Sequence, residues 1–289
     1  MNPYTLLLIP ALLGAPASAD EILEAARKAY DFRAWPGKQG LLKQGLDLRS
    51  VDLSPFAIGT VRTRLSPQGC TRIFRYHRND AHQTKRPRPI FEISLQVLDT
   101  VAGAHEGLLE ILSLCQARMP AGGSLGIHVG DVSFATRKDG AFKMIVFARN
   151  NILVSVYRFP VPRPRGKANH ADIASIAGTI DRRLLRVGDT VCMQGLARPV
   201  IRTFQAEETT IQADTPVLLA LEVTEPGKET PDIFFEEGGG MVYMHEGRWY
   251  FRAEKPGAYT VTAHAVSKRL LAARKSTRIR VRAGEKSSR

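Results

Sequence analysis

The residues of this chain whose chemistry could be catalytic are its seven histidines, its three cysteines and one serine set among glycines. Gly122-Gly123-Ser124-Leu125-Gly126 spells the G-x-S-x-G of a nucleophile elbow, which needs a strand before the serine and a helix after it. Here a helical period comes before and a strand pattern after, so Ser124 is expected in a turn, not in a catalytic site. His105-Glu106 and His245-Glu246 open the letters H-E-x-x-H, but positions 109 and 249 are Leu and Trp, and the second zinc ligand is missing. His77, His82, His128 and Asp131 could supply a general acid and base only if the fold brought them together. Cys70, Cys115 and Cys192 show no C-x-x-C spacing, which excludes the usual zinc and redox motifs. An oxidising compartment would allow one disulfide, expected between Cys70 and Cys115; otherwise all three are small buried hydrophobes. No P-loop, dinucleotide fingerprint, heptad repeat or ribonucleoprotein motif is present. No catalytic residue, metal or cofactor is therefore expected.

The chemistry that remains is charge. Lys and Arg number 41 against 28 Asp and Glu, a net charge of +13 that draws anions. Two stretches concentrate it. The segment 78–89, RNDAHQTKRPRP, carries Arg78, Lys85, Arg86 and Arg88 against Asp80 and lacks apolar periodicity, so it reads as a basic loop. From Lys268 to the end, nine Lys or Arg face one Glu. There Arg278, Arg280 and Arg282 alternate, which on a strand puts all three on one face, either as a stripe for phosphate, sulfate or carboxylate or as charge guarding an edge strand. Lys85, Arg86, Arg88, Arg278, Arg280 and Arg282 are the candidate ligand-binding residues.

The elements that must position these residues fall into two textures. Residues 20–30, DEILEAARKAY, have the spacing of a short helix, and 35–45 reads as a surface connection. Strands are expected at 56–65, 70–77 and 91–97, the last a clean alternation of Phe91, Ile93, Leu95 and Val97 with polar residues. Residues 104–119 turn helical through Leu108, Ile111, Leu112 and Cys115. A meander follows at 127–136, 142–149 and 152–159, whose last turn is Asn150-Asn151, a pair that tolerates the positive φ of a tight hairpin. Asn169 then caps a helix through Ile173, Ile176, Ile180 and Leu184. The hexad Ala148–Leu153 with this closing helix resembles part of the extracytoplasmic sensor modules of some bacterial serine/threonine kinases, although no kinase domain accompanies it.

Beyond Gln205 short strands recur at 209–213, 217–224, 232–236, 241–245, 248–253, 258–266 and 277–282, the spacing of a sandwich. The run Lys255-Pro256-Gly257-Ala258-Tyr259-Thr260-Val261 resembles the penultimate strand of bacterial immunoglobulin-like and PKD-like domains. The resemblance implies a corner tyrosine at Tyr259 whose hydroxyl ties to backbone, with Tyr259, Val261 and Ala263 inward. It implies nothing about function. Some such domains bind calcium, but the carboxylates Asp232, Glu236 and Glu237 lack the ordered spacing of a calcium loop. Trp249 and Phe251, alternating with Tyr250, are read as packing in preference to a glycan-stacking surface.

Residues 5–13, TLLLIPALL, precede Ala17-Ser18-Ala19, the small-x-small spacing of signal-peptidase cleavage, although no Lys or Arg stands before the apolar run. No later stretch approaches the ~18 apolar residues of a membrane helix. The expected organisation is a signal peptide at 1–19, an α+β domain at 20–195 with helices covering an antiparallel sheet, an immunoglobulin-like β-sandwich at 200–284 and a disordered tail at 285–289. The expected role is that of a periplasmic or secreted, non-catalytic binding or scaffolding protein of the cell envelope. Its partner would be an acidic glycan, an anionic lipid surface or an acidic protein, and not nucleic acid. The alternative is a secreted enzyme or accessory module with a site in the first domain. A deep pocket joining His77, His128 and Asp131 would favour that alternative, and a flat basic face would favour binding.

Overall fold

The computed structural model describes residues 18–36, 41–66, 69–78, 88–115, 117–138, 140–160, 172–190, 198–224 and 230–283. Lys85 and Arg86, His82, Cys192, Asn169, residues 1–17 of the expected signal peptide and the expected tail lie outside them, whereas Ser18 and Ala19 are described. The chain divides into two units, Met1–Leu196 and Ala197–Arg289. The architecture is α+β: helices on an antiparallel sheet, then two β-sheets forming an immunoglobulin-like sandwich.

The first unit is built on six strands, β2 (Phe56–Ser66), β3 (Gly69–Arg78), β4 (Phe91–Val97), β5 (Val132–Lys138), β6 (Ala141–Arg149) and β7 (Ile152–Arg158). Their order is β2-β3-β4-β7-β6-β5, and every neighbouring pair is antiparallel. Ile145, Val146, Phe147 and Ala148 are all fully buried, which requires β6 to be covered on both faces. Helix α2 (Val101–Ser113), capped by Thr100, covers one of them, packing Leu108, Leu109 and Leu112 against Val146, Ala148 and Leu153. Helix α3 (Ile173–Leu185), capped by Asp172, meets β6 and β7 as well. Arg149, opposite in phase to Ala148, reaches its Asp181. Helix α1 (Ala19–Ala29) opens with a reciprocal Ser18–Glu21 capping box and packs on α2.

Four expectations change here. The second helix starts three residues earlier than its period suggested and ends at Ser113, because Met119 is drawn away from the helix to donate its amide to Tyr30 Oη at 2.9 Å. The strand expected from Ile127 starts at Val132, since a 3-10 turn (Gly122–Leu125) and an irregular run come first. The segment read as a surface connection contains β1 (Leu42–Lys43), which is buried and pairs with β8 (Asp189–Thr190). No disulfide joins Cys70 to Cys115: Cys70 is buried in β3, while Cys115 Sγ donates to Ile111 O at 3.4 Å.

The second unit has two four-stranded sheets. One orders β13 (Met241–His245), β14 (Arg248–Arg252), β11 (Val217–Thr224) and β9 (Val200–Ala206). The other orders β10 (Thr210–Gln212), β16 (Ala272–Arg282), β15 (Gly257–Val266) and β12 (Asp232–Glu236). Phe251, Val261, Ala263 and Ile279 lie in the core between them, with Trp249 packed against it, so the Trp249/Phe251 face is packing. Tyr259 donates its hydroxyl to Lys255 O at 2.6 Å, the corner bond that the resemblance implied. Strand β9 was not anticipated. Its buried residues Ile201, Phe204 and Ala206 break the period of two, because the pairing with β11 shifts register at Glu222/Val223.

Candidate functional site

The alternation of β16 sorts its side chains sharply. Ile279 and Val281 are 1% and 3% exposed, while Arg278, Arg280 and Arg282 are exposed on the opposite face. Successive arginines are therefore about 6.5 Å apart along the strand. None of the three forms an ion pair with a described residue. They border an open depression of about 890 Å³, to which Thr209, Gly257 and Ala258 also contribute. Small neighbours leave the guanidinium groups uncovered.

At Arg280 β16 is flanked by strands on both sides, whereas at Arg278 its β10 side is open. Arg280 and Arg282 pair with Thr210 and Gln212 of β10 on one side, while Arg278 and Arg280 pair with Thr260 and Ala258 of β15 on the other. Protection of an exposed edge thus does not apply at Arg280. Arg274, exposed on the same face, was missed in the sequence because the run before Thr277 has no apolar alternation. It stands opposite His264, whose Nε2 lies 3.3 Å from Glu236 Oε1. Burial lowers the His264 pKa, Glu236 pulls it back up, and Arg274 lowers it again. Of the stretch read as a basic loop, Arg78 ends strand β3 and Arg88 is exposed in the first unit.

The possible acid-base set does not assemble. His128 and Asp131 both line a cleft of about 1110 Å³ in the first unit, but His77 is not among its lining residues. His77 sits on β3, four strand positions from β5, a distance of about 19 Å across the sheet. Its ring occupies the space beside Gly59, where a Cβ would meet Nδ1 at 2.7 Å. Asp131 has both oxygens engaged: Oδ1 accepts from Arg149 Nη1 at 2.7 Å and Oδ2 from the Asn150 amide at 2.6 Å. It braces the hairpin. Ser124 Oγ donates to Ala121 O at 2.7 Å within the 3-10 turn and faces no base.

Three further carboxylates are similarly occupied. Glu106 pairs with Arg27 at 2.7 Å, Asp232 with Lys268 at 2.7 Å, and Glu237 accepts from the Val242 amide at 3.0 Å. No group of three His, Cys, Asp or Glu among the described residues could hold a metal ion. No catalytic site is evident among them. No described helix is long and apolar enough to cross a membrane.

No family model and no curated protein matches the chain. Among solved structures, the tandem Ig repeats of Dlar align at 14% identity and TM-score 0.26, covering 53% of this chain and 88% of that one. A SusE-like surface-located polysaccharide-binding protein from the heparin utilisation locus of Bacteroides thetaiotaomicron aligns at 9% identity and TM-score 0.22. That alignment covers 80% of this chain and 36% of the other.

Proposed function

We propose that this is an exported, non-catalytic binding or scaffolding protein of the cell envelope that holds an acidic ligand on Arg278, Arg280 and Arg282. One observation carries the reading: three exposed guanidinium groups in a row along β16, beside an open depression, with no carboxylate partner among the described residues. Like charges about 6.5 Å apart repel unless an anion bridges them, and guanidinium forks match carboxylate, sulfate and phosphate oxygens in pairs. A flat row of this kind suits an extended ligand better than a small one. Acidic glycan, anionic lipid surface and acidic protein all offer such a row of oxygens. Arg88 is a second contact in this reading, with Lys85 and Arg86 beside it in sequence. The leader-like residues 5–19 support export.

The enzyme alternative loses its acid-base pair, because Asp131 is engaged by Arg149 and Asn150 while His77 stands across the sheet. Co-sedimentation with dextran sulfate beads, phosphatidylglycerol vesicles and polyglutamate beads, each beside its uncharged counterpart, tests the proposal and separates the three ligand sources. Binding to at least one anionic probe that high salt reverses is expected. Binding to none, or equal binding to the uncharged counterparts, contradicts it.

A further inference from the structure

The cleft of the first unit lacks an acid-base pair but has the makings of a small-molecule site. Its volume of about 1110 Å³ exceeds the several hundred Å³ that many ligand pockets offer. Trp35, Ile127 and Val129 supply an apolar lining, while Arg118, His128 and Asp31 are the exposed ionisable groups in it. The Arg118 guanidinium lies 5.7 Å from the Tyr30 ring centroid and forms no ion pair with a described residue. Its forked donors therefore remain available.

The frame around this lining is fixed by bonds and by close approach. Tyr30 Oη accepts from the Met119 amide at 2.9 Å, and Trp35 Nε1 donates to Tyr30 O at 2.9 Å. A Cβ on Gly130, whose φ is +69°, would meet Ala148 O at 2.5 Å, and one on Gly122 would meet Ser133 Oγ at 2.3 Å. The loop can follow its path only with glycine at these points. Of the two carboxylates in the lining, Asp131 shares Arg149 with Asp181, and Asp31 is exposed. Arg118 is the cationic side chain of the lining.

We propose that this cleft binds a small amphipathic carboxylate, its apolar body against Trp35, Ile127 and Val129 and its headgroup on Arg118. The site is separate from the arginine row of β16. The test is displacement of the fluorescent anion 8-anilinonaphthalene-1-sulfonate from the purified full chain by decanoate, with decan-1-ol as the uncharged competitor. Wild-type protein is compared with Arg118→Ala and with Ala34→Trp, which fills the cleft from an exposed position in its lining. Decanoate is expected to compete about tenfold better than decan-1-ol, the size of one charge-assisted hydrogen-bonded contact. Arg118→Ala should remove that preference, and Ala34→Trp should weaken both competitors. Equal competition in the wild type, a preference that survives Arg118→Ala, or undiminished displacement in Ala34→Trp overturns the proposal. None of these results bears on the arginine row.

Discussion

Asn151 Oδ1 accepts the backbone amide of Lys43 at 2.6 Å, joining residues 108 positions apart. The same side chain donates through Nδ2 to Lys43 O at 3.0 Å and to Leu98 O at 2.9 Å, and it is wholly buried. One amide thus satisfies three backbone groups from β1 and from the end of β4. Asn151→Ala leaves all three unpaired in the interior, and each orphaned group costs about 1–3 kcal/mol. Urea unfolding of this variant should show a first unit destabilised by about 3 kcal/mol or more. A loss below about 1 kcal/mol would mean that water replaces the side chain.

Arg149 forks onto Asp181, with Nε to Oδ1 and Nη2 to Oδ2 both at 2.8 Å, while Nη1 takes Asp131. Burial alone would lower the Arg149 pKa, but the two carboxylates outweigh it and hold the pKa raised. Asp181→Ala leaves the half-buried guanidinium with Asp131 alone and should cost about 1.5–3 kcal/mol, whereas Arg149→Met combined with Asp181→Leu should cost less than the sum of the two single changes. Strictly additive losses in a double-mutant cycle would contradict this coupling.

These two networks also show what could be read from sequence. The β6–β7 turn was legible, since Asn150 has the left-handed φ of 52° that its residue type tolerates. That Asn151 would be buried was not, because its partners Lys43 and Leu98 are distant in sequence and are met through backbone atoms, which leave no residue signature. The arginine row was legible from parity alone, while its extension to Arg274 was hidden by Ala272-Ala273, which carry no strand period. The cleft was illegible for a similar reason: Trp35 and Arg118 are joined through Tyr30, by one hydrogen bond to Met119 and one cation–π contact.

Removing the corner hydroxyl with Tyr259→Phe deletes a single bond at the surface of the sandwich. Calorimetry should register a loss of about 1 kcal/mol in the second unit and no change in the first. A shift confined to the first unit would refute the assignment.

His264 gives the second unit an acid sensitivity of calculable sign. Its folded pKa is lowered, chiefly by burial, from the ordinary value of about 6.5. Between the two values the unfolded chain binds a proton that the folded unit refuses, so stability rises with pH across the window and falls as pH drops below about 6.5. His264→Gln should flatten that part of the pH–stability curve. If the slope persists unchanged, another group is responsible.

Joint binding of an anionic ligand by Arg278, Arg280 and Arg282 can be measured by titrating dextran sulfate into the wild-type protein and into the Arg278→Ser/Arg280→Ser/Arg282→Ser variant at several salt concentrations. Each exposed pair contributes up to about 1 kcal/mol at low salt, so the variant should bind about tenfold to a hundredfold more weakly. Its affinity should also depend less steeply on salt, because three screened contacts are gone. An unchanged affinity and salt dependence in the variant would contradict the account.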